Sequence, residues 1–267
     1  ILGGGTMKFW RIWKGWFKLN LAAEMAYRLN FMFKTIAFVT WEFFGPILGL
    51  IVYSVSQGLP GWTFNEFLLL QGTFSLSAGL VHLFFWGFSN RVVDGVRDGR
   101  FDIELVKPAN PLLLALATGS DIDGLPRAIV GGLISTYALA AMGWMFNLFH
   151  LAAYIILIIS AVLFLLSLQI IIAALAFLFV KTYTMMHVFD VFTDLGKNPI
   201  TIFGPLGTII LTFAFPAGLA AFYPAAVILG KISILQTLTG VSVAFAFFGF
   251  SALLWHLGIR KYGSAGG

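Results

Sequence analysis

Long apolar runs separated by short polar stretches are the main pattern along the chain. About 20 consecutive apolar residues are needed to cross a hydrocarbon core of about 30 Å, and a helix satisfies its own backbone hydrogen bonds in lipid. The pattern therefore predicts an all-α integral membrane protein with six transmembrane helices. The predicted spans cover approximately residues 35–56, 64–90, 125–146, 151–180, 201–216 and 235–259.

An amphipathic segment, Lys8–Leu19, comes before the first predicted span. On a helix, one face would carry aromatic rings and another would carry positive charges, which is typical of a helix lying at the level of the lipid headgroups. The alternative is that these charges are only the basic flank of the first span. The aromatic face comprises Trp10, Trp13 and Phe17, and the basic face comprises Arg11, Lys14 and Lys18.

The sequence between predicted spans five and six, PAGLAAFYPAAVILGK, is apolar but is interrupted by Pro216, Gly218 and Pro224. It is too short and too broken for two spans, and irregular backbone at membrane depth has to be buried against protein. We therefore expect a re-entrant or interfacial segment here. The whole transmembrane domain is expected over residues 7–262, with residues 1–6 set apart as an expression remnant and residues 263–267 as a tail.

Composition agrees with a membrane protein, because 60% of the residues are hydrophobic and only 10% are charged. The absence of cysteine excludes disulfides, thiolate catalysis and cysteine-based metal sites. The net charge of +5 does not indicate nucleic-acid binding, because the basic residues flank apolar spans, where they set topology and meet anionic lipid headgroups. If the N-terminus is cytoplasmic, every basic residue except Lys231 falls on the cytoplasmic side, so both termini are expected there.

Two hydrophilic segments remain, residues 91–124 and 181–199, and both are expected to face the cytoplasm. Within the first, residues 94–107 carry four acids and three bases. A nearly neutral, mixed-sign surface suits a protein partner, because complementary charges set register and orientation. The alternative is an ordinary solvated loop.

Two stretches resemble the permease subunits of ABC-2 type transporters, which have six spans. They are GRFDIELVKPANP after the second predicted span, and DVFTDLGKNPITIFGPLGTIILTFAFPAGLAAFYPAAVILGK around the fifth. The resemblance covers essentially residues 7–262 and depends on the order and spacing of the motifs together. It implies the ABC-2 exporter type of fold and a bacterial or archaeal cell membrane location.

The resemblance also implies a short coupling helix that docks on a separate ATPase subunit, which would hold the ATP and Mg²⁺. Phe101 and Leu105 would form the apolar contact at i, i+4. Gly95 and Gly99 weaken a long helix, and apolar and polar residues alternate around Phe101, so we expect a short helix with glycine-bent flanks. The polar residues of this coupling segment would be Asp94, Arg97, Arg100, Asp102, Glu104 and Lys107.

The second hydrophilic segment is expected to supply a further cytoplasmic contact. Asp190 and Asp194 would share one helical face, and Gly196 with Pro199 would end that helix. No functional role is expected for His187. The stretch DLGKN lacks the first glycine and the hydroxyl residue of a P-loop, and no His-Glu-x-x-His motif is present, so any ATP hydrolysis is expected in another chain.

Two ionisable residues fall inside predicted spans, Glu42 in the first and His82 in the second. We expect Glu42 to face the bundle interior near His82, or to reach Lys34. A proton-linked or substrate-contacting role is one hypothesis, since intramembrane ionisable groups are expensive. A structural hydrogen bond between helices is the alternative that we favour.

Together these observations predict a permease subunit of an ABC transporter, exporting an amphipathic or hydrophobic substrate such as a drug, a lipid-linked compound or a peptide. Two permease chains, identical or paralogous, would work with two ATPase subunits. The permease chains would also contact membrane lipids. The alternative is a proton-coupled secondary transporter or a membrane scaffold without an ATPase. No inverted repeat of the kind found in secondary transporters is evident.

Overall fold

The computed structural model describes residues 3–179 and 183–263, and in this part of the chain every regular element is helical. In chain order the helices are α1 Gly3–Ala26, α2 Arg28–Val55, α3 Phe64–Arg97, α4 Phe101–Leu105, α5 Pro111–Ala117, α6 Gly124–Ala141, α7 Leu148–Ala176, α8 Tyr183–Asp194, α9 Gly204–Ile209, α10 Phe222–Ile228 and α11 Ile234–Lys261. Short 3-10 turns lie at Leu195–Lys197, Ile200–Phe203 and Ala217–Ala220, and a π-helical turn lies at Ile210–Ala214.

Five of the described helices, α2, α3, α6, α7 and α11, are long and apolar enough to cross a membrane. They correspond to the first four predicted spans and the sixth. Where the fifth was predicted, the chain forms a shorter apolar segment, Ile200–Ala214, which changes from 3-10 to α to π geometry. Gly204 interrupts it with φ of +72°, a conformation that favours glycine. The six-span topology therefore stays a prediction.

The centre of the bundle is the pair α3 and α6, which pack backbone to backbone. A Cβ atom on Gly79 would lie 2.4 Å from the backbone nitrogen of Ala128, and one on Gly131 would lie 2.3 Å from that of Leu76. Such approach requires glycine, and small residues are common at helix interfaces in membranes for this reason. These contacts give the bundle a rigid core on which α7 and then α11 pack.

The interrupted apolar segment after residue 215 lies inside the bundle. Leu219, Ala225 and Ile228 are at most 1% exposed. The Tyr223 and Thr212 hydroxyls form a hydrogen bond of 3.0 Å. This burial against protein is what irregular backbone requires at membrane depth. A re-entrant position relative to lipid stays a prediction.

Lys231, the one basic residue assigned to the far side, lies just beyond α10. Its Nζ atom is 2.8 Å from the carboxylate of Glu66 and donates to the carbonyl of Gly61 at 2.7 Å. It also lies 4.4 Å from the centroid of the Trp62 ring. The exception to the basic-residue pattern is therefore a lysine whose charge is locally neutralised.

The lengths of α3 and α6 show that part of α3 extends beyond the end of α6. At 1.5 Å per residue, the 18 residues of α6 extend about 27 Å, which matches a hydrocarbon core of about 30 Å, whereas the 34 residues of α3 extend about 51 Å. α6 begins beside Leu83, because a Cβ atom on Gly124 would lie 2.2 Å from the Leu83 nitrogen. The part of α3 after Leu83 therefore projects beyond the layer that α6 covers.

α1 packs against this projecting part of α3. The rings of Trp13 and Phe84 are 5.4 Å apart, and the guanidinium of Arg91 lies 4.1 Å from the centroid of the Trp16 ring. Trp13 and Trp16 of α1 thus contact α3, whereas Trp10 is 53% exposed. The basic residues predicted on its other face, Arg11, Lys14 and Lys18, are exposed. A position of α1 at the headgroup level stays a prediction.

Candidate functional site

Two adjoining cavities, of about 390 and 240 Å³, lie among α2, α3, α6, α7 and α8. They share part of their walls, and we refer to them together as the central groove. The shared lining residues are Trp41, Phe74, Asp194 and Lys197. The groove therefore brings aromatic rings and charged groups together between the helices.

α8 brings polar side chains to the groove. Met186 packs in a cluster with Val93, on the projecting part of α3, whereas the Lys197 carbonyl accepts a hydrogen bond of 2.8 Å from Gln71 Nε2. Gln71 lies on the part of α3 that α6 covers, since its neighbour Gly72 abuts Ser135. The described part of segment 181–199 therefore runs back along α3, and its expected role as a second cytoplasmic contact stays a prediction.

Glu42 and Arg127 form an ion pair at one wall of the groove. Arg127 Nε lies 2.8 Å from Glu42 Oε1, and the two side chains are 19% and 7% exposed. The Ser75 hydroxyl donates to the other oxygen of the Glu42 carboxylate. The charge of Glu42 is therefore balanced and hydrogen-bonded, as a buried carboxylate requires.

The buried ring of Phe74 lies between two cations. The guanidinium carbon of Arg127 is 6.0 Å from the ring centroid, and Lys197 Nζ is 5.1 Å from it. An aromatic face attracts a cation at these distances. Phe74 thus helps to hold both basic side chains of the groove.

Asp190 and Asp194 share a face of α8, as their spacing predicted, but that face is the groove. Asp194 pairs with Lys197 at 2.7 Å, and its side chain is 58% exposed. Asp190 lies one turn earlier and lines the second cavity. Among the side chains that the structure describes, that of Asp190 makes no ion pair or hydrogen bond, and no three acidic or histidine side chains are grouped to hold a metal ion.

The segment after α3 forms the expected short helix, α4, next to Gly99 at φ of +70°. Phe101 is 2% exposed, and its ring centroid lies 5.1 Å from that of Phe177 and 5.9 Å from that of Tyr262. This corrects the expectation that Phe101 contacts a partner. The ring instead anchors α4 to the ends of α7 and α11.

The exposed apolar residues of this region are three neighbours. Ile103 is 60% exposed, Leu105 is 37% exposed and Val106 is 82% exposed. We call them, with the surrounding charged residues Arg100, Glu104 and Lys107, the coupling surface. Glu104 and Lys107 pair at 2.7 Å within it. The surface lies beyond the layer that α6 covers, because it follows the projecting end of α3.

Charged neighbours on the same side pair locally. Arg97 lies 3.2 Å from Asp94 and 3.0 Å from Asp98, and Arg100 lies 2.7 Å from Asp98. Hydrogen bonds from Arg97 and Arg100 hold the pKa of Asp98 below its ordinary value. The side chains of this segment are therefore individually charged, but their charges nearly cancel.

Comparison with known protein families identifies the family of this chain. The family model described as "ABC-2 family transporter protein" matches residues 38–266. The chain belongs to this ABC-2 transporter family. It is accordingly a multi-pass membrane protein and a permease subunit of an ABC transporter. Comparison with curated proteins and with solved structures found no match.

In this ABC-2 permease, Glu42 faces the bundle interior as expected, but neither of its predicted partners is correct. His82 lies 3.6 Å from Asp121 and stacks on Trp86 at 4.4 Å. Lys34 bridges Glu24 at 2.8 Å and Asp123 at 2.9 Å. The predicted link between Glu42 and His82 is therefore replaced by two separate polar clusters.

Sequence reasoning missed Arg127, Gln71 and Lys197 as groove residues of the permease. Arg127 was counted among the basic residues that flank spans, although Glu42 is 85 positions away, from residue 42 to residue 127. The available signal was that an acid within the first span needs a base at similar depth. Arg127, in the first turn of α6, is that base, but the sequence pattern did not pair it with Glu42.

Proposed function

We propose that this permease subunit exports an amphipathic or hydrophobic substrate through the central groove, driven by ATP hydrolysed in separate ATPase subunits that dock on the coupling surface. The observation that carries the proposal is the family match together with three exposed apolar residues on and just after the short helix α4. Apolar residues ringed by charges are typical of a protein contact, since the charges set orientation.

Phe101 supports a mechanical role for the coupling segment. Its ring packs on Phe177, at the end of α7, and lies 6.3 Å from that of Trp255 on α11. A displacement of α4 would therefore move two long helices directly. A docking helix that is anchored in this way transmits force, whereas a freely solvated loop would not.

Two copies of the chain, or this chain and a paralogue, would complete the pathway. α2 and α11 bury little of their apolar length inside one chain, and α2 supplies a wall of the groove. A second permease chain or lipid would cover these faces. With the N-terminus in the cytoplasm, α1 would lie at the inner headgroup level, and the coupling surface would face the cytoplasm.

Copurification from native membranes tests the docking surface. Wild-type chain should recover an ABC ATPase subunit in mild detergent, whereas the triple variant Ile103→Ala/Leu105→Ala/Val106→Ala should not. Leu113→Ala is the matched control, because Leu113 is 46% exposed on the adjacent α5. Equal recovery by the wild type and the triple variant would contradict the proposed surface. Recovery of no ATPase in any mild detergent would contradict the partnership itself.

The absence of cysteine makes orientation directly testable. A single cysteine at Val106 should be protected from an impermeant maleimide in intact cells, and one at Gln57, in the turn between α2 and α3, should react. The reverse labelling pattern would place the coupling surface outside the cell and exclude ATPase docking there.

A further inference from the structure

We propose that the central groove selects an amphipathic organic cation, with Asp190 as the residue that recognises the positive charge. The inference rests on the proposed function, because it names the substrate class for the same pathway. It depends on the charge balance, the aromatic lining and the size of the groove.

Charge pairing leaves one carboxylate over. The ionisable residues that line the groove are Glu42, Arg127, Asp190, Asp194 and Lys197. Arg127 pairs with Glu42, and Lys197 pairs with Asp194. Among the residues that the structure describes, no cation of the groove is within ion-pair distance of Asp190.

Aromatic side chains line the same cavity as the Asp190 carboxylate. Phe189 is its neighbour in sequence and lines the same cavity, as do Trp41 and Trp86. Trp41 is 66% exposed, so its ring is available to a ligand. Aromatic faces attract organic cations and also bury their apolar parts, which is the combination that an amphipathic cation needs.

The size of the groove suits a small molecule. Its two cavities measure about 390 and 240 Å³. Ligand pockets generally occupy about 300–1,000 Å³, with apolar walls and a few placed polar groups. A compound with one cationic centre and up to four small rings would suit this space, whereas a folded peptide would not.

An organic anion is disfavoured by the same geometry. Among the residues that the structure describes, the two basic groups of the groove, Arg127 and Lys197, are already engaged by carboxylates and by the Phe74 ring, so an anion would find no unengaged cation there. It would also face Asp190 and Asp194. Selection against the wrong charge is as much a part of specificity as attraction of the right one.

The test compares two probes of nearly the same size and opposite charge, tetraphenylphosphonium and tetraphenylborate. Their binding to the purified full-length chain in nanodiscs would be measured by isothermal titration, with empty nanodiscs as the blank. We expect saturable binding of tetraphenylphosphonium only. Asp190→Asn should weaken it about tenfold, an effect equivalent to losing one partly screened charge contact, and Asp190→Glu should restore it.

Asp98→Asn is the matched control, because it removes one carboxylate from an exposed site outside the groove and should leave the affinity unchanged. Thermal unfolding of each variant would show whether it is folded. Equal affinity for the two probes, or an affinity unaffected by Asp190→Asn in a folded variant, would overturn the inference. The measurement needs no ATPase, so its failure is distinguishable from failure of the docking proposal.

Discussion

The coupling segment and the central groove are both rich in charge, but their charges are held differently. In the coupling segment the pairs join residues at most three positions apart, such as Arg97 with Asp94 and Lys107 with Glu104, and the side chains are at least one-third exposed. In the groove, Glu42 pairs with Arg127 across the bundle, and both side chains are largely buried.

The difference teaches that charge alone says little about stability. Water already solvates the exposed pairs, so their net contribution is small. In the groove, removal of one partner would leave an unpaired charge in a medium that solvates it poorly. Residues with the same chemistry should therefore respond very differently to substitution.

The largest effect is expected in the groove. Arg127→Met should lower the free energy of unfolding by about 3–5 kcal/mol, because Glu42 would remain buried without its partner. The double variant Glu42→Gln/Arg127→Met should recover most of this loss. Denaturant unfolding in mixed micelles would measure all three proteins, and a double variant as unstable as the single one would contradict the pairing.

The next largest effect on the free energy of unfolding is expected at Phe101, which anchors the coupling segment. Phe101→Ala should destabilise by about 3 kcal/mol, because a buried ring is lost from a packed aromatic cluster. Ile103→Ala, two residues further on, should change stability by less than about 0.5 kcal/mol, since its side chain is mostly exposed. If the two substitutions had equal effects on unfolding, α4 would not be anchored as described.

An intermediate effect is expected at Lys34, which joins α2 to α1 and to the start of α6. Lys34→Met should destabilise by about 1–2 kcal/mol, because it removes two charged hydrogen bonds, to Glu24 and to Asp123, at a partly exposed site. Lys14→Met is the matched control on the exposed face of α1. Equal melting temperatures for both variants would show that the Lys34 cluster is not structural.

The smallest effect belongs to the exposed pair of the coupling surface. Lys107→Ala should change the free energy of unfolding by less than about 0.5 kcal/mol. Its effect should instead appear in ATPase recovery at higher ionic strength, since exposed charges orient a partner and are screened by salt. A destabilisation above 1 kcal/mol by the same unfolding assay would contradict this assignment.

Much of the helical framework was predictable from the order of residues. The apolar runs located α2, α3, α6, α7 and α11, because a stretch of about 20 apolar residues has few alternatives to a membrane helix. Gly99 marked the bend before α4. The aromatic and basic faces of α1 followed from helical spacing, because residues three or four apart share a face.

Only the tertiary structure assigned the polar residues to their partners. From the sequence, Phe101 looks like a surface contact, but α7 and α11 bury it. The spacing of Asp190 and Asp194 predicted their shared helical face, but only the packing of α8 along α3 puts that face in the groove. Glu42 and Arg127 meet because α2 packs against both α3 and α6. The length of an apolar run is a local property that can be read directly from the sequence. An ion pair between residues 85 positions apart depends instead on how the helices pack.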